Sequence, residues 1–193
     1  MSTLVYLHGT NGSGKSTLAR AVLAAGGGPS NALLYNDMPF ADQDNTVTKS
    51  GVVLIGRYKN ACGGVDGVQP YRHVHNLMDH ARRRGRAFAE GLITPGVETC
   101  KTFASKFDRT VFILLDTPET VCIRNVLRRR KAKGNTKPYS PDNLYTKARS
   151  ARSWANNLEA SGLEVHRLQY REAYVLILEL LGLPSPSVEE LLS

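Results

Sequence analysis

One segment near the N-terminus, Gly9-Thr10-Asn11-Gly12-Ser13-Gly14-Lys15-Ser16, has the residue types needed to hold phosphate. It matches G-x-x-x-x-G-K-[ST], whose glycines let backbone N–H groups surround phosphate oxygens. Lys15 would reach the β- and γ-phosphates, the Ser16 hydroxyl would bind Mg²⁺, and Thr17 would complete the nucleotide site. A chance glycine-rich turn is the alternative, but an apolar strand pattern precedes the segment and a helical pattern follows it. The segment therefore predicts binding of a nucleoside triphosphate, which we take to be ATP.

Carboxylates that could assist phosphoryl transfer lie further along the chain. An acceptor hydroxyl needs a carboxylate that orients the oxygen and accepts its proton. Asp66 follows Gly63 and Gly64, which allow the backbone to turn close to a ligand, although Asp-Gly is also a common turn pair. Asp37 is the competing base. Glu90 follows an apolar run, where it could bind a Mg²⁺ water or the acceptor, or could simply be an exposed carboxylate at the end of a strand.

The segment from Gly56 to Gly67, GRYKNACGGVDG, carries more functional groups than a plain turn needs. Tyr58 could stack on a base, Asn60 could hydrogen-bond to the edge of that base, and Arg57 could hold a phosphate. A metal site is not indicated, because the three cysteines of the chain are far apart and have no C-x-x-C spacing. We interpret this segment as the acceptor site.

Cations dominate residues 124–152, which hold ten Lys or Arg and one acid. Arg124 and Arg128 are i,i+4 neighbours on a predicted helix, so both could reach the same phosphates. This predicts a mobile lid that closes over the nucleotide and neutralises charge in the transition state. A solvated basic face is the alternative for many of these residues.

A second basic cluster, Arg82-Arg83-Arg84-Gly85-Arg86, lies where a helix is predicted to end. Four arginines in five residues, together with a formal net charge of +8, favour a polyanionic partner such as nucleic acid. Aromatic residues, at 7%, do not interleave with the cations as they do in single-strand stacking platforms.

The elements that must position these residues alternate along the chain, which predicts an α/β fold with a mainly parallel sheet of about five strands. Segments 38–50 and 131–141 lack periodicity and are predicted to be loops. The predicted strands are Leu4–Leu7, Ala32–Tyr35, Val52–Ile55, Ala87–Ala89, Val111–Leu115 and Val165–Leu168. The predicted helices are Ser16–Ala25, Tyr71–Arg84, Val97–Phe107, Glu119–Lys133, Asp142–Ala160 and Glu172–Leu181.

Length and composition predict one domain over residues 1–193, with 41% apolar residues to form its core. The start lacks the pattern of a secretory signal, and no apolar run reaches eighteen residues, so we expect a cytoplasmic protein without a membrane partner.

No Asn-Lys-x-Asp motif is present, which argues against a GTPase. Single acids at the predicted strand ends, as at Glu90 and Asp116, favour a small kinase over a motor ATPase. For Asp116, a turn or helix-capping role is the favoured interpretation.

Four stretches together resemble a known family: GTNGSGKS, GRYKNACGGVDG, FAEGL and LLDTPETVCIRNVLRRR. They look like the bacteriophage P-loop kinases of DNA hypermodification, described as 5-hydroxymethyluridine DNA kinases. The resemblance extends from about Leu4 to Leu168, and its distinctive part is G-x-Y-x-x-x-C-G-G-x-D. It implies a three-layer α/β/α sandwich with a basic lid, acting in the host cytoplasm.

The activity that the resemblance implies is ATP-dependent phosphorylation of the hydroxymethyl group on a pyrimidine already in DNA. The partners would be DNA that contains a hydroxymethylated pyrimidine, ATP and Mg²⁺. A free nucleotide or nucleoside kinase and a nucleic-acid-binding NTPase are the alternatives.

Overall fold

The structure is a computed structural model, and it describes residues 1–30, 45–56, 58, 64–68, 72–91 and 95–185. Within these ranges it contains six strands and six α-helices. The strands are β1 (Thr3–His8), β2 (Asn45–Val47), β3 (Val53–Ile55), β4 (Arg86–Gly91), β5 (Arg109–Leu115) and β6 (Val165–Leu168). The helices are α1 (Lys15–Ala25), α2 (His73–Arg84), α3 (Val97–Lys106), α4 (Glu119–Ala132), α5 (Asp142–Ala160) and α6 (Tyr170–Leu180).

The six strands form one sheet in the order β2-β3-β4-β1-β5-β6, in which all pairs except β2 with β3 are parallel. Helices α2, α3 and α5 cover one face of the sheet, and α1 and α6 cover the other. Ligands of open α/β sheets bind at the carboxyl ends of the strands. The predicted three-layer α/β fold is therefore confirmed, and its strand ends form the edge where a site is expected.

Helices bury both faces of the sheet, which explains why the sequences of its strands are continuous apolar runs. In β1, Leu4 and Tyr6 join the core beneath α2, α3 and α5, whereas Val5 and Leu7 join the core beneath α1 and α6. All four side chains are fully buried. A run with this pattern cannot lie on a surface, so β1 must be a central strand.

One predicted loop contains a strand. Residues 38–50 were expected to be a loop, but Asn45–Val47 form β2, which pairs antiparallel with β3 through the turn at Ser50 and Gly51. Gly51 has φ +85°, a conformation that suits glycine, and three residues are too few to show a strand period. The predicted strand Ala32–Tyr35 lies outside the described residues.

The arginine cluster at residues 82–86 lies at the amino edge of the sheet, opposite the edge that carries the phosphate loop. Arg86 begins β4 and pairs with Thr3, whereas Glu90 pairs with Leu7, next to the phosphate-loop segment. The Arg86 guanidinium donates to the carbonyls of Leu181, Gly182 and Ser50. Arg86 is thus a structural link, whereas Arg82 and Arg83 are exposed and their contact with a nucleic acid stays a prediction.

Candidate active site

The predicted phosphate loop connects β1 to α1 and is fastened to the start of α4. Asn125 donates its side-chain N–H to the Gly12 carbonyl at 2.9 Å, and Thr117 donates its hydroxyl to the Ser13 carbonyl at 2.9 Å. Gly12 has φ +78°, and a Cβ there would lie 2.4 Å from the Cys122 carbonyl. Only glycine fits this close approach between the loop and α4.

Lys15 is buried within its own loop. Its Nζ donates to the carbonyls of Gly9 at 2.8 Å and Thr10 at 3.0 Å. Burial lowers the pKa of Lys15, and the negative charges of Glu90 and Asp66 act against that shift. The ammonium group therefore lies within electrostatic range of two carboxylates, and it can exchange its carbonyl partners for phosphate oxygens.

Glu90, at the end of β4, is only 4% exposed and lies against the start of α1. The Ser16 hydroxyl donates to its Oε1 at 3.4 Å, and the backbone N–H of Gly64 also donates to its carboxylate. Burial raises the pKa of Glu90, Lys15 lowers it, and the charge of Asp66 raises it further. The prediction that Glu90 could be an exposed strand-end carboxylate is thus wrong.

Asp66 enters the site on a short 3₁₀ turn, Val65–Gly67, that packs on the end of β4. A Cβ at Gly64 would lie 2.0 Å from the Glu90 carbonyl oxygen, so this contact requires glycine. A Cβ added to Gly91 would lie 3.0 Å from Asp66 Oδ1. The structure therefore brings Asp66 and Glu90, which are 24 residues apart, to the same edge of the sheet.

A cavity of about 810 Å³ opens over these groups. From the predicted site it is lined by Asn11, Gly12, Gly14, Lys15, Ser16, Thr17, Gly64, Asp66, Glu90 and Arg128. Its volume lies within the range of small-molecule sites, so a nucleotide could fit. Gly9, Thr10 and Ser13 do not line it; Thr10 and Ser13 are buried beneath the loop.

The cations of α4 reach the cavity through Arg128 and Arg129, with Lys133 just beyond the helix. Arg124 is exposed and does not line the cavity, so its predicted action with Arg128 on one phosphate cluster stays a prediction. Residues 125, 128, 129 and 132 form the face of α4 that lines the cavity. Arg129 lines the cavity beside Arg128, whereas the i,i+4 spacing of Arg124 and Arg128 does not by itself say which face of the helix meets a ligand.

Two other basic residues of this region have structural partners. Arg152 pairs with Glu119 at 2.9 Å and with Asp116 at 3.4 Å, which places Asp116 in an ion pair at the start of α4. Arg130 donates to the Asn135 side chain and the Lys137 carbonyl, and so braces the connector after α4. Closure of residues 124–152 as a lid stays a prediction.

Tyr58 does not line the cavity, so the structure does not present its ring as a surface for stacking on a base. Its ring packs against the core beneath α1 and α6, and its hydroxyl is buried with no hydrogen-bond partner among the described residues. Burial, with a smaller effect of Glu90 and Asp66, raises its pKa well above the usual range. The other predicted acceptor residues, Asp37, Arg57, Asn60 and Gly63, lie outside the described residues.

Sequence reasoning missed His8, which ends β1 and is 1% exposed. Its Nδ1 donates to the Gly91 carbonyl at 3.0 Å. The centroid of its ring lies 4.6 Å from the ring centroid of Trp154. Burial, followed by the charge of Lys15, lowers its pKa to about 4, so the ring is neutral near pH 7. The signal for His8 was its place directly between the apolar strand and the phosphate loop.

The residues at the N-terminus of α1 fit a Mg²⁺ ion that binds together with a nucleotide. Such an ion needs one or two carboxylates in addition to a hydroxyl and substrate phosphates. Ser16 Oγ and Glu90 Oε1, 3.4 Å apart, offer the hydroxyl and the first carboxylate. In the described part of the chain, no group of three or more His, Cys, Asp or Glu could hold a metal by itself.

Comparison with known proteins identifies relatives among phage enzymes. No protein-family model matches the chain. A protein of Pseudomonas phage PaMx11 named 5-hmdU DNA kinase is 29% identical over 193 residues, which cover 92% of this chain and 96% of the relative. A protein of Delftia phage PhiW-14 with the same name is 28% identical over 164 residues, 76% of this chain.

The chain is thus similar to two phage proteins named 5-hmdU DNA kinase, at 28–29% identity. The predicted family resemblance is confirmed, and so is the phosphotransferase class. The chain spans 60% of the Delftia phage kinase. Among solved structures, a deoxyadenosine kinase from M. mycoides with bound dATP has a TM-score of 0.42 and 13% identity, covering 93% of this chain and 99% of that one. That likeness is too distant to support an inference about substrate.

Proposed function

We propose that the protein transfers the γ-phosphate of ATP to the hydroxymethyl group of 5-hydroxymethyluracil in DNA. The observation that supports this proposal most strongly is the position of Asp66. Its carboxylate lines the same cavity as Lys15 and Ser16, so a donor site and a carboxylate suited to an acceptor hydroxyl share one space. The names of the two phage relatives support the choice of acceptor.

In this proposal the chain's own groups divide the work of phosphoryl transfer. Residues 9–17 hold the ATP phosphates, and Lys15 releases its two loop carbonyls to bind them. Ser16 and Glu90 would hold Mg²⁺, which would neutralise charge on the β- and γ-phosphates. Asp66 orients the acceptor hydroxyl and accepts its proton, and Arg128 stabilises the transferring group. Duplex DNA would also require the target base to be flipped out, at a cost of a few kcal/mol.

The test is phosphate transfer from γ-labelled ATP to four acceptors: thymine DNA, hydroxymethyluracil DNA and the two matching free nucleotides. We expect label on hydroxymethyluracil DNA alone. Asp66→Asn should lower kcat about 10²–10⁴-fold, the range of a general base, while the KM for ATP changes little. The matched control is Asp116→Asn, since Asp116 lies in an ion pair outside the cavity and should retain near-normal kcat.

A free nucleotide kinase is the second candidate, because the arginines at residues 82–86 lie at the end of the sheet opposite the cavity. Label confined to the free nucleotides would establish it and exclude the DNA kinase. ATP hydrolysis that DNA stimulates, without label on any acceptor, would instead indicate an NTPase.

We place the reaction in the host cytoplasm. No helix in the described ranges is both long enough and apolar enough to cross a membrane.

A further inference from the structure

A second groove, of about 440 Å³, lies between the start of α3 and one face of α5. From α5 it is lined by the side chains of Arg149, Ser150, Ser153 and Asn157. These four residues recur on one face of the helix, and residues 95–97 form the opposite wall. The groove is separate from the cavity that contains the phosphate loop, since the two share no lining residue.

The polar side chains of this groove have no protein partners within the described residues. Arg149, Ser150, Ser153 and Asn157 are exposed, and none of their side chains forms a hydrogen bond or ion pair with another described group. Arg152, on the same helix, shows the contrast, because two carboxylates hold its guanidinium. Arg152 is thus part of the fold, whereas the polar groups of the groove are available for a ligand.

A chain of contacts through buried residues connects the groove to the proposed acceptor carboxylate. Asp66 packs on Gly91, Gly91 accepts a hydrogen bond from His8, and the His8 ring contacts Trp154. Trp154 forms the floor of the groove and donates its indole N–H to the Pro95 carbonyl at 3.1 Å. Because Gly91 and Pro95 are four residues apart, they can be separated by no more than about 14 Å.

The polar groups on the α5 side of the groove suit phosphate, whereas Pro95, Val97 and Trp154 form an apolar wall and floor. A guanidinium, two hydroxyls and an amide are the groups that contact phosphate oxygens in protein–DNA interfaces, and no carboxylate lines the groove. Trp154 is only 4% exposed and holds Pro95, so its ring is not a stacking surface. The lining therefore complements a negatively charged, sequence-independent chain.

We propose that this groove binds the phosphodiester backbone of the DNA strand beside the nucleotide that is phosphorylated. The proposal rests on the function proposed above and names the part of the substrate that a free nucleotide lacks. At 3.4 Å per nucleotide of a stacked strand, this upper limit of about 14 Å between Gly91 and Pro95 corresponds to at most about four nucleotides. Substrates that extend at least this far should gain affinity from the groove, and shorter ones should not.

The test compares Arg149→Glu with Arg83→Glu, which changes the net charge equally at the opposite end of the sheet. The acceptors are 5-hydroxymethyluridine at the centre of a 15-mer and at the centre of a trinucleotide. For Arg149→Glu we expect the KM of the 15-mer to rise at least tenfold and that of the trinucleotide less than twofold. Arg149→Ala should make the decline of log affinity with log salt shallower by about one unit of slope, as for one lost phosphate contact.

Two results would overturn the proposal. One is an equal rise in KM for the 15-mer and the trinucleotide with Arg149→Glu; the other is the same KM for the 15-mer with Arg149→Glu and Arg83→Glu. Failure of the proposed function has a different signature, because the wild-type protein would then phosphorylate free nucleotides and no oligonucleotide. In that case the groove proposal falls as well, before any variant is compared.

Discussion

Glu90 and Asp66 are both carboxylates at the same edge of the sheet, but their surroundings differ. Glu90 is buried and accepts hydrogen bonds from Ser16 and Gly64, whereas Asp66 is half-buried on a turn that faces the cavity. Their mutual repulsion raises the pKa of Glu90. The contacts with Ser16 favour Glu90 as the carboxylate on the metal side, which leaves Asp66 for the acceptor.

His8 should make the stability of the fold depend on pH. Its pKa falls from 6.5 to about 4 on folding, so the unfolded chain takes up the proton first. The stabilisation is complete above pH 6.5 and is lost as the pH falls towards 4, with about 2 kcal/mol lost between pH 7 and pH 5. We expect His8→Gln, which keeps an N–H donor and does not titrate, to reduce the difference in unfolding free energy between pH 7 and pH 5 by that amount. Urea unfolding at both pH values measures it, and equal pH dependence in both proteins would contradict it.

The buried hydroxyl of Tyr58 should contribute nothing to the stability of the fold. Because its oxygen has no hydrogen-bond partner among the described residues, Tyr58→Phe keeps the packing and removes a desolvated polar group. The free energy of unfolding should stay constant or rise by up to about 1 kcal/mol. Tyr58→Ala, the control that also removes the ring, should lose about 3–5 kcal/mol. A loss of more than about 1 kcal/mol in Tyr58→Phe, measured by urea denaturation, would show that the hydroxyl has a partner in solution.

At the scale of the elements, α4 contributes two arginines to the cavity, both from the same face. Arg128 and Arg129 line the cavity, and Arg124 does not. We therefore expect Arg128→Ala to lower kcat about 10²–10³-fold, as for loss of a group that stabilises transition-state charge. Arg124→Ala should change kcat less than threefold, and steady-state kinetics at saturating ATP compares the two variants. Equal losses would mean that Arg124 reaches the nucleotide and that α4 turns on binding.

Most elements could be predicted from the sequence, and the exceptions have physical causes. The five parallel strands and six helices with long apolar patterns were predictable because burial dictates their periods. Strand β2 was not, since three polar-flanked residues carry no period and are held by pairing with β3. Asn125 and Thr117 were also missed, because their role is to bind carbonyls of a loop more than 100 residues away.

At the scale of the whole molecule, Arg86 joins three distant parts of the chain. Its guanidinium donates to the carbonyls of Leu181, Gly182 and Ser50 from the start of β4. Arg86→Ala should lower the free energy of unfolding by about 1–2 kcal/mol, and Arg83→Ala, at an exposed position, by less than about 0.5 kcal/mol. Thermal unfolding measures both. A drop of similar size in the Arg83 variant would show that charge, rather than these hydrogen bonds, sets the difference.

The position of residues 82–86 shows what the density of charge in a sequence does not reveal at this scale. Their density suggested a nucleic-acid surface, yet a helix that leads into a parallel strand ends at the amino edge of the sheet, opposite the ligand edge. This rule was available from the predicted order of α2 and β4. The pairing of Asp66 with Glu90 was harder to foresee, because it depends on the register that seats Gly64 against the end of β4.

The hydrogen bonds that fasten α4 to the phosphate loop have a consequence for the order of events in a catalytic cycle. Since Thr117 and Asn125 bind the carbonyls of Ser13 and Gly12, Arg128, one turn further along the helix, belongs to the same rigid unit as the loop. An incoming triphosphate would meet positive charge that is already in place. If Arg128 acts on the phosphates as proposed, we expect little rearrangement between it and the loop when the donor binds, whatever the rest of residues 124–152 does.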